Sequence, residues 1–264
     1  MKKHVALKNF LEQTVEKYNK KEYLETDPIS MVHKISGDKN RETYAFIVSI
    51  FAFGNVKSIK TTIQKMLQPM TDNVYSFIKN YKKDRTTLFK GIVHRFIKEK
   101  DISCLINALH IILREFGSIE DLFMHCYNKG KNVRKAIEGF SEITREIYRK
   151  NNDNFSERTL RFMLPSPENG SACKRMNLFL RWMVRKDEID LGIWKGIEKN
   201  QLIIPLDTHI ARISKSLWLT KRKTPGWNMA EEITENLKKF DPNDPLKYDF
   251  ALTRIGILEG KKHK

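Results

Sequence analysis

The chain is short of cysteine, long apolar runs and alternating patterns, and each shortage removes a class of protein. Its three cysteines, Cys104, Cys126 and Cys173, stand far apart in 264 residues. They cannot form a locally spaced metal cluster, and an odd number argues against a disulfide framework, so a reducing compartment, the cytoplasm, is expected. The longest apolar run, Tyr44 to Phe53, falls well short of the roughly 20 residues a bilayer crossing requires. Lys2 and Lys3 are followed by Glu12 and Glu16 rather than by an apolar stretch, which speaks against a secretory leader. Without a basic amphipathic anchor, no membrane partner is expected. Period-two alternation is rare. Leu202 to Pro205 is the best strand candidate and is too short to build a sheet. A glycine-rich phosphate loop, a nucleophile elbow, internal repeats and low-complexity linkers are also missing.

What the chain does have is positive charge and helical periodicity. There are 49 lysines and arginines against 32 acids, a formal charge of +17. Such a surplus favours a polyanionic partner, nucleic acid first, because neutralising phosphates releases counterions. A plainer reading is also open, in which Lys57, Lys60 and Lys65 only solvate a helix face. Apolar residues make up 40% of the chain, enough to fill a core. Val56, Ile59, Ile63 and Met66 recur at helical spacing. Tyr44 to Phe53 reads as a buried helix ended by Gly54. Ile102, Leu105, Ile106, Leu109, Ile112, Leu113 and Phe116 form a further stripe, stopped by Gly117, and Ser118 with Asp121 resembles a capping box. Val133, Ile137, Phe140, Ile143 and Ile147 give another helix. The expected fold class is all-α.

Chemistry-bearing residues concentrate between 164 and 214. A turn, Leu164-Pro165-Ser166-Pro167-Glu168-Asn169-Gly170, leads into a helix expected from about Ser171. Lys174, Arg181 and Arg185 fall at i, i+7 and i+11 on one face, with Met176, Phe179, Trp182 and Met183 opposite. Trp182 and Trp194 read as core, Trp218 and Trp227 as partly exposed. Asp187, Glu188 and Asp190 read as a solvated acidic patch. His125 beside Cys126 lacks further ligands at zinc spacing. Further on, Pro205-Leu206-Asp207-Thr208-His209-Ile210-Ala211-Arg212 sets an Asp at the start of an amphipathic helix.

That last segment resembles the aspartate segment of the helix-hairpin-helix DNA glycosylases, the endonuclease III superfamily. The spacing between Lys174 and Asp207 is most similar to the archaeal 8-oxoguanine glycosylase branch. The resemblance implies a two-lobed helical fold over residues 1–264. The middle of the chain forms one lobe, the two ends the other, and a cleft lies between them. It implies a monomer that excises a damaged base, 8-oxoguanine foremost, from double-stranded DNA. Lys174 would be the nucleophile that forms a Schiff base, Asp207 the activating carboxylate, and Asp249 part of the base pocket. Gly170, Ser171, Arg175, Arg181, Arg185, Asn55 and His209 would contact DNA. The iron–sulfur loop of endonuclease III has no counterpart, since no cysteine follows Cys173. No cofactor is therefore expected, and a monovalent cation on the hairpin carbonyls is the one candidate ion. Ser166 and Glu168 stand where the superfamily's hairpin has glycines. The whole chain also resembles a bacterial family of unknown function, through Cys173-Lys174-Arg175, Leu180-Arg181-Trp182-Met183-Val184-Arg185 and Tyr248-Asp249-Phe250.

Simpler roles stay open beside these. Asp207 is also a good helix N-cap, Lys174 an ordinary helical lysine, Asp249 a cap or an arginine partner, and His209 a packing residue. Two other functions are compatible with the pattern: a DNA-binding protein on the same scaffold without chemistry, and an RNA-binding protein.

Overall fold

The structure is a computed structural model that describes residues 2–70, 73–82, 87–153 and 155–262, with side chains described as far as residue 257. The described residues form thirteen α-helices joined by turns and short 3-10 segments, and among them there is no β-strand beyond two isolated bridges. Leu202 to Pro205, the strand candidate, forms no strand and joins no ladder. Pro205 supplies no N–H for one. The chain divides into two compact units, Met1–Glu25 with Pro167–Lys264, and Thr26–Ser166.

The first helix, α1 (Lys2–Tyr18), belongs to the unit that the chain's second half completes. The Thr26–Ser166 unit follows: α2 (Ile29–Val32), α3 (Asp38–Ile50), α4 (Val56–Leu67), α5 (Val74–Lys79), α6 (Glu99–Glu115), α7 (Ile119–Gly130), α8 (Val133–Asn151) and α9 (Glu157–Met163). Its core is built on α3 and α6, in which every residue from Glu42 to Ile50 and from Asp101 to Leu109 is buried. Ile102, Leu105, Ile106, Leu109 and Ile112 are fully buried, and each such side chain contributes about 1.5–3 kcal/mol on leaving water. Helix α8 packs on both α6 and α7. Polar caps set the boundaries. Ser118 accepts the Asp121 amide at 3.0 Å to open α7, and Asn132 and Ser156 do the same for α8 and α9.

The other unit holds α1 together with α10 (Lys174–Val184), α11 (Thr208–Ser216), α12 (Trp227–Lys238) and α13 (Asp249–Lys262). Helix α13 packs on α1 and α11. Gly256 permits the α11–α13 approach, because a Cβ there would lie 2.9 Å from the Cβ of His209. The apolar core of this unit gathers Leu11, Leu206, Ile210, Ile233, Leu237 and Leu252. Trp182, Trp194 and Trp227 are all buried, whereas Trp218 is 83% exposed. Trp227, expected to be partly exposed, is instead drawn inward: it opens α12, and its amide donates to the Gly170 carbonyl at 3.1 Å.

Candidate active site

Lys174 and Asp207 meet within the unit that contains both. The turn before α10 is built by local geometry. Gly170 adopts φ 74°, and its amide donates to Pro167 O at 2.9 Å. Gly226 meets it so closely that a Cβ would come 2.8 Å from the Gly170 carbonyl. Ser171 accepts the Cys173 amide at 3.2 Å. Cys173 then takes a left-handed conformation, φ 45°, as the N-cap. Helix α10 therefore begins at Lys174 rather than at Ser171, since a left-handed residue cannot lie inside a right-handed helix. Glu168, Asn169 and Gly170 form the exposed rim of this turn.

The approach to Asp207 is anchored from below. Ile204 and Leu206 are buried, and the Ile204 amide donates to the Thr234 hydroxyl of α12 at 3.0 Å. This fixes Asp207 at the mouth of α11, where its two carboxylate oxygens have different tasks. Oδ1 accepts the Ile210 amide at 2.9 Å, an N-cap bond. Oδ2 lies 3.9 Å from the Lys174 Nζ, beyond hydrogen-bond reach but within charge contact. Both side chains are partly open to solvent, 33% and 24% exposed. Asp207 is thus a cap and a carboxylate facing an amine at once. His209, half-buried on α11, packs on α13 at Gly256.

Beneath the pair lies a buried ion network. Arg181 on α10 holds Asp249 and Asp190, and Arg185 holds Asp190, Asp187 and Asp244. Both arginines are at most 3% exposed. This corrects the surface role expected for Arg181 and Arg185: their guanidiniums face protein carboxylates. Arg175, expected to contact DNA, is also buried, and burial pulls its pKa down to about 10. Helix α10 has no solvated side, because every residue from Arg175 to Val184 is buried. The acidic stretch is corrected too, since Asp190 is fully buried between the two arginines. Asp249, the expected base-pocket residue, opens α13 at 2% exposure. Burial raises its pKa to about 6. The Arg181 charge opposes that rise, and the charges of Asp207 and Asp190 add to it. Its Oδ1 is buried without a hydrogen-bond partner, as is the Asn177 Oδ1.

Asn55 belongs to the Thr26–Ser166 unit, where it caps α4 by accepting the Lys57 amide at 2.8 Å. Among the described residues no group of three or more His, Cys, Asp or Glu side chains is arranged to hold a metal ion. Among the described residues no single helix is long and apolar enough to cross a membrane. Sequence spacing does not single out Asp190 and Asp244 as partners of α10. The available signal is two arginines one turn apart in a helix with apolar residues all round, where buried cations require carboxylates.

Fold and site thus define an all-helical protein with a lysine–aspartate pair over a buried arginine–carboxylate network. The chain belongs to the family described as a protein of unknown function, DUF2400, whose model matches residues 27–258. No curated protein and no solved structure matches it.

Proposed function

We propose that the protein is a DNA glycosylase-like enzyme of base excision repair, resembling the helix-hairpin-helix superfamily and its 8-oxoguanine branch. The observation that carries this reading is the approach of the Lys174 amine to the Asp207 carboxylate at 3.9 Å, from two segments 33 residues apart. Cleaving an N-glycosidic bond builds positive charge on the sugar, which a fixed carboxylate stabilises. Asp207 Oδ2 is fixed because Oδ1 is spent on the helix cap. The Lys174 nitrogen, once its proton has passed through the Asp207 carboxylate to the departing base, attacks C1′ as the glycosidic bond breaks and its electrons leave with the base. The C1′–O4′ bond then breaks as a second proton moves from the Lys174 nitrogen to O4′, which becomes a hydroxyl, and the nitrogen lone pair forms the Schiff base. The net charge of +17 supports a polyanionic substrate.

The test is base release from a panel of lesion duplexes, beginning with 8-oxoguanine. Lys174→Gln and Asp207→Asn, each shown folded by its melting curve, are expected to abolish release. Full activity in both variants contradicts the reading. A second reading, duplex binding without chemistry, draws support from Ser166 and Glu168 at the positions of the hairpin glycines. It predicts salt-dependent binding and no base release from any duplex.

A further inference from the structure

The Thr26–Ser166 unit contains a groove that the proposed chemistry does not use. It has a volume of about 550 Å³ and lies between α4 and the 91–97 turn. Helix α4 turns Ile59, Ile63 and Met66 inward and leaves Lys57, Ser58, Thr61 and Lys65 exposed. Lys57, Thr61 and Lys65 stand at i, i+4 and i+8, one stripe along the groove wall. The opposite wall is a tight turn closed by paired bonds between His94 and Ile97, amide to carbonyl, at 2.9 and 3.0 Å. Arg95 sits in this turn at φ 56°, and its guanidine stem lies over Gly54, whose Cβ position is 3.5 Å from Arg95 Nε.

Among the described residues the groove lining includes three cations, three hydroxyl residues and no acid. None of Lys57, Lys65 and Arg95 is ion-paired among the described residues. Burial lowers the His94 pKa, and its ring is fixed by Thr62 at 3.1 Å and by the Phe53 carbonyl at 3.1 Å. Beside the cations lie Val93 and Phe96, 56% and 47% exposed. Phe96 leans on Phe162 at 4.7 Å between ring centroids, and Phe162 on Phe53 at 4.9 Å. Cations spaced along one helix face, hydroxyl donors between them and an exposed ring at the rim match a sugar–phosphate chain with bases alongside. A lipid surface would be met by a convex apolar face, whereas these cations line a concavity.

We propose that this groove binds the phosphodiester backbone of nucleic acid, with Lys57, Lys65 and Arg95 each engaging a phosphate and Ser58 and Thr61 donating hydrogen bonds between them. The assignment shares with the proposed function the expectation of a nucleic-acid partner, but it concerns different residues and can stand without the chemistry.

The experiment compares three forms of the full chain by fluorescence anisotropy on a duplex over a salt series. They are the wild type, Lys57→Gln/Lys65→Gln/Arg95→Gln, and a control of equal charge loss in the same unit, Lys100→Gln/Lys129→Gln/Lys135→Gln. The groove variant is expected to lose at least about tenfold in affinity and to flatten the log–log salt slope by about 2 to 3, roughly one for each phosphate contact. The control is expected to change the slope by less than about one. Equal losses in the two variants overturn the proposal, as does failure of the wild type to bind duplex at low salt. Displacement of the duplex by inorganic phosphate at constant ionic strength overturns the polymer assignment in favour of a free-anion site. So does groove-dependent binding to anionic phospholipid vesicles with duplex binding unchanged. Lys174→Gln separates this proposal from the glycosylase chemistry. Groove-dependent binding that persists without any base release retains the groove and rejects the chemistry. Base release that survives the groove variant with unchanged affinity does the reverse.

Discussion

Replacing Asp249 by asparagine removes a carboxylate from a buried ion pair, yet the structure predicts that the protein gains stability at neutral pH. Two guanidiniums, Arg181 and Arg185, face four carboxylates: Asp190 and Asp249 at most 2% exposed, Asp187 and Asp244 at 19% and 17%. Lys199 adds a third cation, 3.7 Å from Asp244, so four carboxylates face three cations, and Arg181 keeps Asp190 at 3.1 Å when Asp249 is neutral. Burial raises the Asp249 pKa from the ordinary 3.8 to about 6. A carboxyl raised in the folded state holds a proton there that the unfolded chain has already released. Its contribution to stability falls as pH rises from about 4 to about 6 and is level above that. The shift corresponds to about 3 kcal/mol. Asparagine mimics the neutral form at every pH. Wild type and Asp249→Asn are thus expected to be close in stability at pH 4, and the variant ahead by up to about 3 kcal/mol at pH 7. Urea titrations of both proteins across this range give the difference directly. Arg181→Met, which leaves Asp190 with Arg185 alone and takes the guanidinium away from Asp249, is expected to cost about 3–5 kcal/mol at pH 7. If Asp249→Asn is instead less stable at pH 7, with a deficit that grows as pH rises, the attraction of Arg181 outweighs burial and the reasoning fails.

Other substitutions separate the roles combined in the site. Asp207→Asn retains an N-cap acceptor for the Ile210 amide and is expected to change stability little. Asp207→Ala loses it and is expected to cost about 1 kcal/mol in denaturant titration. Trp227→Ala removes a side chain 1% exposed and should cost about 3–5 kcal/mol by the same measurement. Gly256→Ala forces a Cβ to 2.9 Å from His209 Cβ and 3.1 Å from Ile213 Cδ1. It is expected to cost about 1–3 kcal/mol and to lower the melting temperature.

Local features of the fold were legible where the information is local. The α4 stripe, the Ser118 cap of α7 and the all-helical class follow from side-chain spacing and capping chemistry, which need only neighbours in sequence. Asp207 at the start of α11 was legible for the same reason. Helix α10 was not. Periodicity assigns Arg181 and Arg185 to water, because it does not see carboxylates beyond the helix. Their partners include Asp249, 68 residues beyond Arg181, and Asp244, 59 residues beyond Arg185. The burial of Trp227 depends likewise on Gly170 and Gly226, brought together across 56 residues. The three-residue delay in the start of α10 comes from Cys173 at φ 45°, a conformation that residue type does not announce. The basic groove escaped for a different reason. Lys57 and Lys65 alone look like solvated lysines, and only the approach of Arg95 across the groove makes them part of a site.

The central claim is that the Lys174 amine and the Asp207 carboxylate act together on a sugar carbon, and borohydride trapping on a lesion duplex tests it most directly. Reduction of a Schiff base leaves the protein covalently joined to DNA, and the adduct is read by its altered mobility in a denaturing gel. A trapped adduct in the wild type, beginning with 8-oxoguanine duplex, that disappears in a folded Lys174→Gln variant is the predicted result. An adduct that persists in Lys174→Gln, or the absence of any adduct across the lesion panel while the duplex is bound, contradicts it.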